Sequence, residues 1–235
     1  MLEKLAVVIP TYNEKQNIAR LLPAILEKLP GVRIFAVDDN SPDGTAEAVR
    51  EFAQNNQQVR LIWRDKKEGL ASAYFDAFAR IIPDETIEYI LTMDADFSHH
   101  PDDLARLAEY LPDYDLVIGS RYVEGGRIEN WNFFRRLVSK YANRYAGIIT
   151  GVPVADLTSG FVLYSRALLG QILLQNIQSN AYGYQIEMKY FAHKAGAKIK
   201  EAPITFRERS SGKSKFGVRT IWEGIIVPWH LRLFK

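Results

Sequence analysis

Tyr89-Ile90-Leu91-Thr92-Met93-Asp94-Ala95-Asp96-Phe97-Ser98-His99-His100-Pro101 is the stretch from which the rest of the chain is read. Residues 89–93 are mostly apolar and read as a buried strand, and two carboxylates follow directly at its C-terminal end. Open α/β sheets bind their ligands at that end. Side chains alternate faces along extended backbone, so Asp94 and Asp96 point the same way while Ala95 points back. Two hard oxygen ligands then converge. Such a pair suits Mg2+ or Mn2+, ions that keep waters and take further oxygens from a substrate diphosphate. The motif alone equally fits a solvated acidic turn ahead of a helix, because Pro101, Asp102 and Asp103 make a favourable first helical turn.

The same alternation of strand and polar turn recurs upstream. Leu5-Ala6-Val7-Val8-Ile9 is an apolar strand closed by Pro10-Thr11-Tyr12-Asn13-Glu14, and Ile18, Leu21, Leu22, Ile25, Leu26 and Leu29 then mark an amphipathic helix. Residues 33–37 repeat the strand and end in Asp38-Asp39-Asn40-Ser41-Pro42-Asp43-Gly44. A helix over 45–55, a strand over 59–63 and a helix from Gly69 to about residue 82 complete the approach to residue 89. Strands alternating with helices of this length predict right-handed βαβ units, hence an α/β fold with a mostly parallel sheet flanked by helices. An antiparallel addition is expected over 198–207. The first strand lacks the glycine fingerprint of dinucleotide-binding folds, and neither a phosphate-binding P-loop nor a hydrolase nucleophile elbow is present. Instead the strand ends carry Tyr12 and Glu14, then Asp38 and Asp39, then Asp94 and Asp96. A nucleobase needs a flat surface and hydrogen-bond partners, and its diphosphate needs a metal; this rim offers all three. Each residue also has a plainer role: Tyr12 in packing, Asp38 and Asp39 in capping the turn, Pro10 in ending a strand.

Composition does not indicate disorder. The chain has 235 residues, 47% of them hydrophobic, enough for a sizeable core. A net charge of +2 is too mild to imply nucleic acid. With no cysteine, disulfides and thiolate metal sites are ruled out. No uncharged apolar run reaches the ~18 residues of a spanning helix, and the start shows no signal-peptide pattern, so a soluble or peripheral protein is expected.

Val8-Ile9-Pro10-Thr11-Tyr12-Asn13-Glu14, Val37-Asp38-Asp39-Asn40-Ser41-Pro42-Asp43-Gly44-Thr45 and the Met93–Pro101 motif together resemble the glycosyltransferase family that contains the dolichol-phosphate mannose synthases. Ile118-Gly119-Ser120-Arg121-Tyr122, Asp156-Leu157-Thr158-Ser159-Gly160-Phe161 and Arg207-Glu208-Arg209-Ser210-Ser211-Gly212-Lys213-Ser214-Lys215 extend the resemblance to about residue 220. It implies a glycosyltransferase-A type, Rossmann-like fold, a nucleotide-sugar donor, a divalent metal (Mg2+ or Mn2+) and a dolichyl or polyprenyl phosphate acceptor. By the same resemblance, Pro10, Tyr12, Glu14, Asp39 and, beside them, Asp38 fall on nucleotide-contacting positions. Asp94 and Asp96 fall on the metal and diphosphate positions, and Ser98 on one where relatives that keep Gln can use it at the metal. Arg121, Arg135 and Ser139 match positions that hold the lipid phosphate, Arg209 one that touches the donor diphosphate, and Lys215 lies on what looks like a Ser/Gly-rich lid with Lys213. Asp96, Arg121, Arg209 and Lys215 are thus the expected catalytic set. Arg207 reads as an ordinary surface charge, and His99 and His100 as outer partners of the metal site or ornaments of a helix start.

No general base for an alcohol acceptor is apparent. A phosphate monoester needs none, because its second pKa is about 6 and it is largely dianionic at neutral pH. A single displacement would invert the anomeric centre. The Asp-Ala-Asp-Phe-Ser-His-His-Pro motif is nearest the mannose-type synthases, so GDP-mannose leads and UDP-glucose is the alternative donor. A rival of another class is a non-catalytic nucleotide-sugar-binding subunit of a membrane complex.

The expected organisation is a catalytic domain over 1–216 and an amphipathic helical tail over 217–235. With the sequence ending at Lys235, the expectation is that a lipid acceptor is reached by some means other than a following membrane span. In the tail, Ile221, Trp222, Ile225, Ile226, Trp229 and Leu233 share one helical face with cations elsewhere, which suits either an interfacial helix or one docked on the core. Trp131, Phe133 and Phe134 beside Arg135 and Arg136 offer a second apolar edge. The expected location is peripheral, on the cytoplasmic face of a membrane, with a membrane-protein subunit as an eligible partner.

Overall fold

The computed structural model describes residues 2–180, 182–208 and 218–235. Its main sheet is built outward from β1 (Leu5–Thr11), paired in parallel with β2 (Arg33–Asp38) on one side and β4 (Tyr89–Thr92) on the other. β3 (Val59–Trp63) continues the parallel pairing outside β2. The crossovers are α1 (Lys15–Lys28), α2 (Thr45–Gln54) and α3 (Leu70–Ile81). Pro10 lies beyond the last β1–β4 pair, Val8 with Thr92, so its missing N–H interrupts no ladder on that side.

The full order is β3-β2-β1-β4-β7-β5-β8, with β5 (Leu116–Ser120), β7 (Val162–Ser165) and β8 (Ile199–Pro203). The direction of strand addition reverses between β1 and β4. The loops after these two strands, carrying Tyr12 and Asp94, therefore flank the crevice where such sheets bind ligands.

The antiparallel member is not where the sequence placed it. β8 runs parallel to β5, and β9 (Thr205–Arg207) runs parallel to β6 (Arg127–Glu129) in a separate two-stranded sheet. The reversed strand is β7, antiparallel to both β4 and β5. Two helices, α6 (Arg166–Leu173) and α7 (Tyr182–Lys194), separate β7 from β8. One helix returns the chain in the same direction, whereas two return it reversed, so β8 re-enters opposed to β7 and aligned with β5.

Alternation along β1 divides the core. Leu5, Val7 and Ile9 pack with Ile18, Leu21 and Ile25 of α1 and with Leu104 and Leu107 of α4 (Pro101–Ala108). Ala6 and Val8 face the other layer, with Tyr74 and Phe78 of α3, Leu169 of α6 and Ile186 and Met188 of α7. Ala95 belongs to the first layer, so it does point back into the core between the two aspartates.

α5 (Phe133–Thr150) and α8 (Val218–Phe234) lie against one another, and α8 also packs on α7. Val227 and Leu231 of α8 enter the core, where each buried aliphatic side chain stabilises by roughly 1.5–3 kcal/mol. Tyr190 and Tyr145 donate their hydroxyls to the Leu231 and Ile225 carbonyls at 3.1 and 3.2 Å. On the outer side Trp222, Ile225, Ile226, Trp229 and Leu233 are exposed. α8 is thus docked through one face while presenting an apolar second face; the Ile221 side chain lies outside the described set. Among the described residues no helix is long and apolar enough to cross a membrane.

Candidate active site

The residues expected on the nucleoside side are held by stitching the loop after β1 to the loop after β2. Asn13 N donates to Ser41 Oγ and Glu14 N to Thr45 Oγ1, each at 3.0 Å, while Lys15 N donates to Asp43 Oδ2 at 3.1 Å. Asn13 and Asn40 take left-handed backbone, φ 60° and 54°, which short amide side chains tolerate. Asp38 is fully buried, and its carboxylate accepts from Thr11 Oγ1, Ser41 N and Ser41 Oγ at 2.6–2.9 Å. Its oxygens are engaged in shaping the turn. Asp39 pairs with Arg64 Nη1 at 2.6 Å, both side chains under a tenth exposed, and Arg64 is braced in turn by Glu68, Asp76 and Ser72. Burial pushes the Asp39 carboxyl up from its ordinary value against the opposing pull of Arg64. The Tyr12 ring carries the Lys67 ammonium 3.6 Å from its centroid.

Beyond β4 the chain turns sharply at Phe97, φ 61°, and returns through Ser98 and His99. Ser98 N donates to Asp96 Oδ1 at 3.0 Å. Ser98 is 3% exposed, and its Oγ has no hydrogen-bond partner although it lines the pocket with Asp94. An orphaned buried hydroxyl beside carboxylates is a place for a cation or a polar substrate atom. Among the described residues no three His, Cys, Asp or Glu side chains form a metal cage. Asp94 and Ser98 line the pocket and Asp96, outside that lining, is tied to it through Ser98 N, a sparse oxygen set that suits an ion keeping waters and taking further oxygens from a diphosphate.

His99 and His100 have different tasks. His100 caps α4, its Nδ1 accepting from Asp102 N at 3.3 Å. His99 is buried, stacked on Phe161 at 4.9 Å, and burial lowers its pKa despite the nearby Asp94 and Asp96.

Across the pocket, Arg121 N and Nε donate to Asp156 Oδ2 at 3.0 and 2.7 Å, and Nη2 donates to Asp156 Oδ1 at 2.6 Å and Thr158 Oγ1 at 2.8 Å. Burial disfavours the Asp156 carboxylate, but the charge and hydrogen bonds of Arg121 outweigh it and hold the carboxyl below its usual range. Arg135 stacks over Trp131, 4.1 Å to the centroid, and pairs with Glu208. Ser139 Oγ accepts from Tyr122 OH at 2.7 Å. The structure thus brings Asp94, Ser98, Arg121, Arg135 and Ser139 onto one pocket. Pro10, Tyr12, Glu14, Asp38 and Asp39 lie outside its lining, at the ends of the neighbouring β1 and β2. Arg209, Lys213 and Lys215 fall outside the described residues. Arg207 is exposed and pairs with Glu129 at 3.0 Å.

Two contributors had no role assigned from sequence. Asp156 anchors Arg121; the Asp156-Leu157-Thr158-Ser159-Gly160-Phe161 motif was its only signal. Lys189 is fully buried, donating to Ser159 O at 2.7 Å and to the Gln185 carbonyl and Oε1 at 3.3 and 3.2 Å. Burial brings its pKa down to about 7, against the opposing influence of Asp156. It supports the pocket wall from beneath: Ser159 Oγ donates to Gly119 O at 2.6 Å and Thr92 Oγ1 to Gly160 O at 2.8 Å. A Cβ on Gly160 would stand 4.0 Å from Asp94 Oδ1 and 3.7 Å from His99 Cε1, so a larger side chain there would intrude beside the aspartate.

The Glycosyl transferase family 2 model matches residues 6–173. The chain is 37% identical over 234 residues to the polyprenol monophosphomannose synthase of Mycolicibacterium smegmatis, covering 98% of this chain and 88% of that one. It is 36% identical over 223 residues to the undecaprenyl-phosphate mannosyltransferase of Micrococcus luteus, covering 95% and 91%. In fold it resembles a mannosyltransferase from Pyrobaculum calidifontis solved in complex with GDP-Man and Mn2+, with a TM-score of 0.61 at 21% identity over 90% of this chain and 58% of that one.

Proposed function

Because the chain belongs to glycosyl transferase family 2, we propose that it transfers mannose from GDP-mannose to the phosphate of a polyprenyl or dolichyl acceptor, inverting the anomeric carbon. The observation that carries this reading is one pocket lined together by Asp94, Ser98, Arg121 and Arg135.

Tyr12 supplies a flat surface for the base, with Pro10 and Glu14 beside it, and Asp39, braced by Arg64, supplies a carboxylate acceptor for the nucleoside. Asp38 holds the turn that presents them. Asp94, Asp96 and Ser98 would hold Mg2+ or Mn2+, which when bound offsets the charge developing on the departing diphosphate. Arg209 and Lys215 are proposed as cationic partners of that diphosphate.

Arg121 and Arg135, with the Ser139 hydroxyl, bind and orient the acceptor phosphate; arginine suits planar, paired contacts with phosphate oxygens. The phosphate arrives as a dianion, so no side chain has to remove a proton. Holding it in line with the anomeric carbon is the main contribution of these residues. Arg121 is pre-oriented by the buried Asp156, so little reorganisation is required of it. The exposed outer face of α8, with Phe133 and Phe134 of α5, is proposed to rest on the membrane surface that holds the acceptor, as a peripheral rather than spanning contact.

Thermal-shift measurement against GDP, UDP and their mannose and glucose sugars, with Mg2+ or Mn2+, tests the donor. Stabilisation by GDP and GDP-mannose is expected; stabilisation by UDP alone would replace mannose with the UDP-glucose alternative.

A further inference from the structure

Two arginines line the pocket, each paired with a carboxylate, and the pairs are built differently. Arg121 and Asp156 are locked together: their side chains are 8% and 0% exposed, and three hydrogen bonds join them. Arg135 and Glu208 are joined by a single ion pair, with side chains 25% and 36% exposed. Arg135 itself is well fixed. Its backbone N donates to Asn132 Oδ1 at 2.8 Å at the start of α5, and its guanidinium carbon stands 4.1 Å over the Trp131 ring, which packs edge-on against Phe206 at 5.4 Å. Glu208 is the looser half, directly after β9 and at the pocket edge.

A carboxylate and a phosphate offer a guanidinium the same chemistry, a pair of anionic oxygens for charge-assisted N–H donors. They cannot both use Arg135 in a small pocket that also holds Asp94, because like charges at close range repel. From this geometry we propose that Glu208 is an exchangeable counter-ion: it occupies Arg135 while the pocket is empty and is displaced by the acceptor phosphate. Glu208 thereby sets acceptor affinity and favours a dianionic phosphate, which outcompetes one carboxylate, over singly charged head groups. This rests on the reading of Arg135 as an acceptor ligand. Glu208 is a positioning residue on this account and touches no reacting atom.

The test is steady-state kinetics with GDP-mannose and farnesyl phosphate, a short isoprenyl monoester, comparing wild type with Glu208→Gln and Glu208→Asp. Removing the competing charge in Glu208→Gln is expected to lower the acceptor KM about three- to fivefold, in keeping with a partly exposed ion pair, while donor KM moves far less. Glu208→Asp keeps the charge and should stay near the wild-type acceptor KM. An acceptor KM that rises or does not move in Glu208→Gln would overturn the proposal, since Glu208 would then be a structural brace or a bystander. Wild-type protein that transfers nothing to farnesyl phosphate would fault the acceptor reading itself. Calorimetric binding of farnesyl phosphate without donor would then decide the exchange separately: tighter binding to Glu208→Gln supports it, and equal or weaker binding overturns it.

Discussion

The backbone N–H of Asp94 donates to Nδ1 of His99 across 3.0 Å. A ring nitrogen that accepts must be unprotonated, so the neutral imidazole carries its proton on Nε2. One hydrogen bond thereby ties the orientation of a pocket carboxylate to a buried ring clamped on Phe161.

His99→Leu leaves the Asp94 N–H without that acceptor, an expected loss of about 1–3 kcal/mol in stability. Because Asp94 is then misplaced, kcat/KM should fall by more than about 10-fold. His99→Asn, whose side-chain oxygen can stand near Nδ1, should recover most of both. Denaturant unfolding and initial rates on the three proteins check this; an Asn variant no better than Leu would mean the ring is needed for packing alone.

Asp156→Ala strips a buried guanidinium of its partner and should cost about 3–5 kcal/mol. Arg121→Lys should not substitute for arginine, since one ammonium cannot make the paired contacts to Asp156 and also reach Thr158. Unfolding free energies for both variants test the pair, and a loss below about 1 kcal/mol in Asp156→Ala would mark it as dispensable.

Lys189 links stability to pH. Its ammonium ordinarily titrates at 10.5 but at about 7 in the fold. Between these values the unfolded chain binds more protons than the folded one, so this group makes stability rise with pH; at lower pH both states are charged and its burial penalty is full. Relative to Lys189→Met, wild type should therefore gain stability as pH is raised from about 7 towards 10.5. Unfolding curves for the two proteins across that range provide the check, and a pH-independent difference would contradict it.

Much of this was legible in sequence because the signals are local. Short continuous apolar runs followed by Tyr12, Asp38 or Asp94 announced β1, β2 and β4, and Gly44 and Gly69 stand immediately before the helices they introduce. What escaped was set by pairing between distant segments. β7 reads as a short apolar run, and nothing in Val162–Ser165 states that it inserts antiparallel between β4 and β5. Lys189 looks like one more helix-surface cation until Ser159 is placed above it, and Glu208 gains meaning only once β9 brings it to Arg135. For α8 the docked alternative is the one seen, with Val227 and Leu231 pointing inward, while the tryptophans point outward.

Since α8 contributes to the core, the membrane contact proposed for it is better probed by surface substitution than by truncation. Trp222→Ser with Trp229→Ser should leave folding intact and reduce flotation with anionic liposomes several-fold, and salt should weaken what remains by screening the cationic share. Unchanged flotation of the double variant would move the contact to Phe133 and Phe134 or remove it.

The central claim is tested most directly by product formation from purified protein, GDP-mannose, Mg2+ or Mn2+ and a short polyprenyl phosphate, with Asp96→Ala in parallel. Wild type should yield a β-linked mannosyl phospholipid, and Asp96→Ala should lose at least about 10²-fold in rate while melting as a folded protein. Absence of product with every donor and metal, from protein that binds nucleotide, would contradict the account and leave a nucleotide-sugar-binding subunit in its place.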